Sequence, residues 1–143
     1  MATRTFDPGE ILATFLGIPL TAWGPDTFVS VERNEDAFTL TVGAGGETAR
    51  SRNRNRSGLV TITLLASSVE NDALSAAYLL DELRGEGVGP LFIKDRLGTT
   101  LVAAQNAWIK KLPNIEYAKE VGVREWVIEC AKLDIFEGGS VLP

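Results

Sequence analysis

The sequence predicts a mainly β fold: a β-sandwich or partly closed antiparallel barrel with one flanking α-helix. Three observations carry this. Apolar and polar residues alternate at period two over Phe38–Val42 and Leu59–Leu65, the pattern of strands half-buried on a core. Clusters of Gly, Pro, Asn and Asp punctuate the apolar segments at short intervals. Helical periodicity is confined to a single stretch, residues 68–84. Strands joined by short turns pair antiparallel, and a lone helix then covers one face of the sheet.

In chain order, Asp7-Pro8-Gly9 is a turn that leads into a first strand over Glu10–Leu16, which Gly17-Ile18-Pro19 breaks. Residues 21–27 form a loop. Phe28–Arg33 alternates, with Val29 and Val31 against Ser30 and Glu32. After the polar turn Asn34-Glu35-Asp36, the strand Phe38–Val42 completes an expected hairpin over 28–42. From Gly43 to Gly58 the chain is polar and glycine-rich, a long flexible arm. Leu59–Leu65 is a strand rich in β-branched residues. Ser67 with Glu70 three positions on has the form of a capping box, and Ala73, Ala76, Ala77, Leu80 and Leu83 form an apolar stripe at helical spacing. Gly85 stops the helix. Leu91–Lys94 and Thr100–Ile109 form a second hairpin through Asp95–Gly98. Lys110–Asn114 is a turn, and Ile115–Tyr117 starts a further strand. Arg124–Leu133 carries apolar groups on both faces and is expected at the centre of the sheet. The tail Glu137-Gly138-Gly139-Ser140 is expected to fray.

At 143 residues the chain is expected to form one domain, 1–143, able to bury a core without staples. Its net charge of −5 gives no bulk attraction to nucleic acid or anionic lipid. No apolar run is long enough for a membrane helix, and MATRTFDPGE lacks a signal-peptide core. One cysteine, Cys130, cannot form an internal disulfide, which fits a reducing cytosol. The chain has no histidine. That removes the usual general base, the usual zinc ligand and the Ser-His and Cys-His pairs.

Few residues point to chemistry. The glycine runs at 43–46 and 85–89 lack the Lys-Ser/Thr of a phosphate-binding loop. Glu32, Glu35 and Asp36 read as solvated turn acids, Glu125 and Glu129 as cross-strand partners or an acidic surface, and Cys130 as a core thiol. Trp23, Trp108 and Trp126 read as packing groups. No catalytic, metal or cofactor site emerges. The exception is the run Arg50, Arg52, Arg54, Arg56 at every second position, which lines one side of an extended chain. It is open to three readings: a basic ribbon for DNA, a solvated loop, or a subunit contact. Arginine forks onto carboxylates, and no aromatic residue interleaves the run to stack on single-stranded bases, so subunit contact is favoured.

TFDPGEILATFLGIPL, DTFVSVERNEDAFTLTVGAGGE, NRSGLVTITLLASSVENDALSA, GVGPLFIKDRLGTTLVAAQNAWIKK and REWVIECAKLDIFEGG together span nearly the whole chain. They resemble the tail tube proteins of contractile-tailed phages, relatives of pyocin and type VI secretion tube proteins. The resemblance implies a virion structural protein of the tail, made and assembled in the bacterial cytoplasm and without enzymatic activity. It implies homohexameric rings, stacked into a tube that passes DNA without sequence-specific binding, with sheath and baseplate proteins as partners. On that basis the 43–58 arm is expected to make the ring-to-ring contact, and reversing Arg52 and Arg54 to Glu is expected to block polymerisation. The acidic balance suits a conduit that repels phosphates. Alternative readings are a baseplate or tube-initiator component, the tube of a phage-derived secretion device, and a monomeric β-sandwich that binds a ligand through an aromatic pocket at Trp23.

Overall fold

The computed structural model describes residues 3–139. The fold is mostly strand and antiparallel, with one α-helix, as the alternation predicted. The strands are β1 (Ile11–Phe15), β2 (Ile18–Leu20), β3 (Val29–Arg33), β4 (Phe38–Val42), β5 (Thr48–Arg52), β6 (Gly58–Leu65), β7 (Gly89–Asp95), β8 (Leu101–Lys111), β9 (Val123–Cys130) and β10 (Asp134–Phe136). The helix α1 runs Glu70–Arg84. The main sheet has the order β2-β1-β7-β8-β9-β6-β3, and β4 and β5 stand apart as a two-stranded sheet.

The curled sheet nearly closes on itself. Beyond β2, the chain pairs with the far end of β6: Trp23 bridges Leu64, the Leu65 N–H donates to the Ala22 carbonyl at 2.9 Å, and the Gly24 N–H donates to that of Thr63 at 3.0 Å. Toward its other end, β6 is flanked by β3 instead. The result is a partly closed barrel, joined at the Trp23 end and open between β3 and the strands opposite. Its interior is apolar and includes Phe15, Ile62, Leu64, Leu91, Trp126, Ile128 and Leu133. Strand β6 shows the reason. Its even-numbered apolar residues are all buried and its odd-numbered residues are half-buried, so period two becomes inside and outside.

The Gly17 region is a turn rather than a break. Leu16 and Gly17 both take positive φ (53° and 77°), the backbone twist that a two-residue hairpin requires, and β2 returns along β1 with Pro19 on the sheet edge. The expected 28–42 hairpin does not form. β3 pairs with β6, and β4 pairs with β5. Ile115–Tyr117 is irregular and exposed. The expected strand over 124–133 ends at Cys130, bends at Ala131-Lys132, and resumes as β10 along the other half of β8. Its placement at the sheet centre, between β8 and β6, is as the sequence implied. Glu137–Gly139 is held down: Thr99 N–H donates to the Gly139 carbonyl and the Gly138 N–H to Thr100 Oγ1, each at 3.0 Å. Ser140 lies outside the described residues.

The helix departs from expectation at both its cap and its face. No capping box forms. Ser68 Oγ, not Ser67, accepts the Glu70 N–H at 3.1 Å. The Glu70 carboxylate reaches the loop after β2, accepting from Thr21 N–H, Thr21 Oγ1 and Ala22 N–H at 2.8–3.1 Å. The helix docks through Leu74, which is fully buried, and through Asn71, whose Oδ1 accepts the Trp126 indole N–H at 2.9 Å. The stripe read from the sequence lies largely away from the sheet, leaving Ala76, Leu80 and Leu83 exposed. Gly85 caps the C-terminus as predicted, donating to the Asp81 carbonyl at 2.7 Å.

Candidate assembly interface

The arginine run begins on the one sheet that stands off the barrel. Gly43–Glu47 turns the chain tightly, with the Gly43 N–H donating to the Glu47 carbonyl at 2.7 Å, and β5 runs back along β4. Residues 48–52 of the stretch read as an arm are therefore strand. The register pairs Phe38 with Arg52, Leu40 with Arg50 and Val42 with Thr48. Side chains directly opposite in an antiparallel pair share a face. One face of this hairpin therefore carries Phe38, Leu40, Val42, Arg50 and Arg52, and the other carries Thr39, Thr41, Ala49 and Ser51.

Every residue of both strands is exposed. Leu40 is 66% exposed and Val42 59%. The Arg50 guanidinium lies 4.0 Å from the centre of the Phe38 ring, and that of Arg52 lies 5.7 Å away. Such contacts orient a cation over an aromatic face. Among the described residues, Arg50, Arg52 and Arg54 form no ion pair. A two-stranded ribbon with one apolar face is marginal in water by itself, and an exposed apolar row of this kind is a feature of contact surfaces.

The base of the hairpin is fastened to the barrel. Glu35 Oε2 accepts from the side-chain amides of Asn53 (3.3 Å) and Asn55. Asn34 donates through Nδ2 to Ser57 Oγ at 2.9 Å and through its N–H to the Ser57 carbonyl at 3.1 Å. Asn55 Oδ1 accepts from both the N–H and Oγ of Ser57. The alternation that spaces the arginines thus also spaces Asn53, Asn55 and Ser57. Sequence reasoning passed over these three, and the signal was their position between the arginines. Glu35, read as a solvated turn acid, is the shared acceptor of this latch.

The four arginines do not stay together. Arg50 and Arg52 share the hairpin face, while Arg54 is exposed on the linker to β6. Arg56 turns to the barrel, 3.6 Å from Asp134, and its carbonyl accepts the Leu133 N–H at 2.8 Å. Trp23, the proposed ligand platform, stacks on Phe28 with ring centres 5.0 Å apart and packs against the core.

Comparison with known proteins places this architecture. A family model described as bacteriophage PhiTE tail tube protein matches residues 22–138. The chain is 30% identical over 146 residues to structural protein ORF10 of Pseudomonas phage KPP10, covering 96% of this chain and 84% of that one. Among solved structures, it is similar to the anti-feeding prophage cap, a tube-terminating cap, with a TM-score of 0.64 and 11% identity over 95% of this chain and 93% of the other. It is similar to the sheath/tube terminator of the PVC extracellular contractile injection system, with a TM-score of 0.63 and 12% identity over 96% and 100% of the two chains. It is also similar to a chain of the PVC sheath-tube complex, with a TM-score of 0.61 and 11% identity over 96% and 93%. At these identities the solved structures share the fold.

Proposed function

This chain belongs to the bacteriophage PhiTE tail tube protein family, whose members are structural proteins and not enzymes, and from that premise we propose that it polymerises into the tail tube through its β4–β5 hairpin. Its place is the virion tail. The observation that carries the proposal is the hairpin: an apolar row and two guanidiniums that form no ion pair among the described residues, on strands exposed throughout and anchored at the base. Covering this face with another copy removes apolar surface from water and gives the guanidiniums carboxylate partners.

In this reading six copies close a ring, rings stack through the hairpins, and sheath and baseplate proteins engage the outside and the end of the tube. DNA passes through the channel without sequence-specific contacts. The net charge of −5 favours a conduit that repels phosphates. The host cytoplasm is where the copies are made and assembled.

Negative-stain electron microscopy of the purified protein at high concentration tests this. Tubes are expected from the wild type, and none at the wild type's threshold concentration from Arg50→Glu/Arg52→Glu, whose monomer keeps its circular dichroism spectrum. Normal-length tubes from that variant refute the hairpin's role. Isolated rings from the wild type indicate a terminator rather than a tube subunit.

A further inference from the structure

The open side of the barrel holds a groove of about 590 Å³ between β3 and the strands opposite. That volume lies within the roughly 300–1,000 Å³ typical of sites that enclose a ligand. Its walls are apolar, with Val31 on one side and Ile93 and Ile135 on the other. Glu32, Asp95 and Glu137 also line it, and none of them forms an ion pair among the described residues. Arg33 lines it too, but its Nη2 is committed to the Leu133 carbonyl at 2.7 Å.

We propose that this groove receives the β4–β5 hairpin of a second copy, with the Phe38–Leu40–Val42 row on the apolar walls and Arg50 and Arg52 on the three carboxylates. The inference rests on the reading of the hairpin as a contact between copies, and it names the seat. The two surfaces are complementary in polarity and in charge: a projecting apolar row flanked by two guanidiniums, and a recessed apolar trough flanked by three carboxylates. A chain's own hairpin does not fill its groove. The latch of Glu35 onto Asn53 and Asn55 fixes the base beyond the end of β3, and both hairpin strands stay exposed. Because hairpin and groove are different surfaces of one chain, each copy offers one and accepts one. Such a heterologous contact propagates, closing into a ring or extending as a filament.

Charge reversal separates the seat from the hairpin. Three variants are compared with the wild type: Arg50→Glu/Arg52→Glu, Glu32→Lys/Glu137→Lys, and the chain carrying all four changes. All four positions are exposed or on the groove rim, so circular dichroism is expected to stay native. Each pair alone raises the protein concentration needed for polymerisation by roughly tenfold or more, the scale of a close charge pair at an interface. The fourfold chain recovers polymerisation. In a second arm, Leu40→Cys and Val31→Cys chains form a disulfide-linked dimer only when mixed, and buried Cys130 does not compete. If the hairpin pair blocks assembly while the groove pair assembles normally, or if the fourfold chain fails to recover, the groove assignment is overturned and the hairpin reading stands. If the hairpin pair assembles normally, both fall. A disulfide closing within one chain that carries both cysteines overturns docking between copies.

Discussion

Glu70 stands at the start of α1, and its carboxylate serves a loop 48 and 49 residues earlier in the chain. Three donors on Thr21 and Ala22 converge on it, and hydrogen bonds to an ionised acceptor are roughly twice as strong as neutral ones. Glu70→Ala is expected to destabilise the monomer by about 1–3 kcal/mol, read as a lower urea midpoint at unchanged m-value. The Ser-x-x-Glu spacing made this residue visible in the sequence but assigned it to the wrong partner, because a local motif carries no information about a distant loop. Cys130 was legible as a core thiol from its alternation with Trp126 and Ile128. Burial, and then the charge of Glu129, push its pKa from 9.0 up to about 11. The folded state therefore keeps its proton where the unfolded chain loses it. Stability is unaffected below pH 9 and falls between pH 9 and 11, by up to about 1.4 kcal/mol per pH unit from this group. Cys130→Ala is expected to flatten that slope, as followed by denaturant midpoints at pH 8, 9 and 10.

Elements show where periodicity informs and where it stops. The helix was legible in existence, extent and C-terminal stop, but its docking face was not. Ala73, Ala76, Leu80 and Leu83 make a convincing apolar stripe, yet the sheet takes the face of Leu74 and Asn71. The reason is polar: the indole N–H of buried Trp126 needs an acceptor, and Asn71 supplies it. The consequence is measurable as a contrast in chemical denaturation. Leu74→Ala is expected to cost about 2–5 kcal/mol, and Leu83→Ser, at a side chain 80% exposed, within about 0.5 kcal/mol. Strand faces were read well in β6 and β9. By contrast β4, expected to be half-buried on the core, is exposed on both faces because it pairs only with β5 off the barrel. Strand partners were not legible. Alternation fixes which side of a strand is buried and leaves its neighbour undetermined. β3 goes to β6 because the barrel gains a wall there. Gly58 permits this close pairing, since a Cβ at that position would lie 2.6 Å from the Glu32 carbonyl.

At the scale of the molecule, the chain is a barrel joined at one end, open along the other, with a ribbon projecting from it. The lack of histidine set aside much of the ordinary enzyme repertoire, and period-two alternation between short turns, rather than composition, placed the chain among mainly β proteins. The arginine spacing pointed to the projecting segment, but the apolar row that shares its face became visible only through the β4–β5 register. The same ribbon sets the fate of a free copy. Arg50, Arg52, Arg54 and Arg56 place four trypsin-type cleavage points within seven residues of exposed chain. Brief trypsin treatment of monomer is expected to nick there first, seen as two large fragments on a gel, and polymerised material is expected to resist. With the hairpin seated between copies as proposed, an unincorporated copy leaves these cleavage points open and incorporation shields them, so that housekeeping proteolysis would spare finished shafts while clearing the surplus.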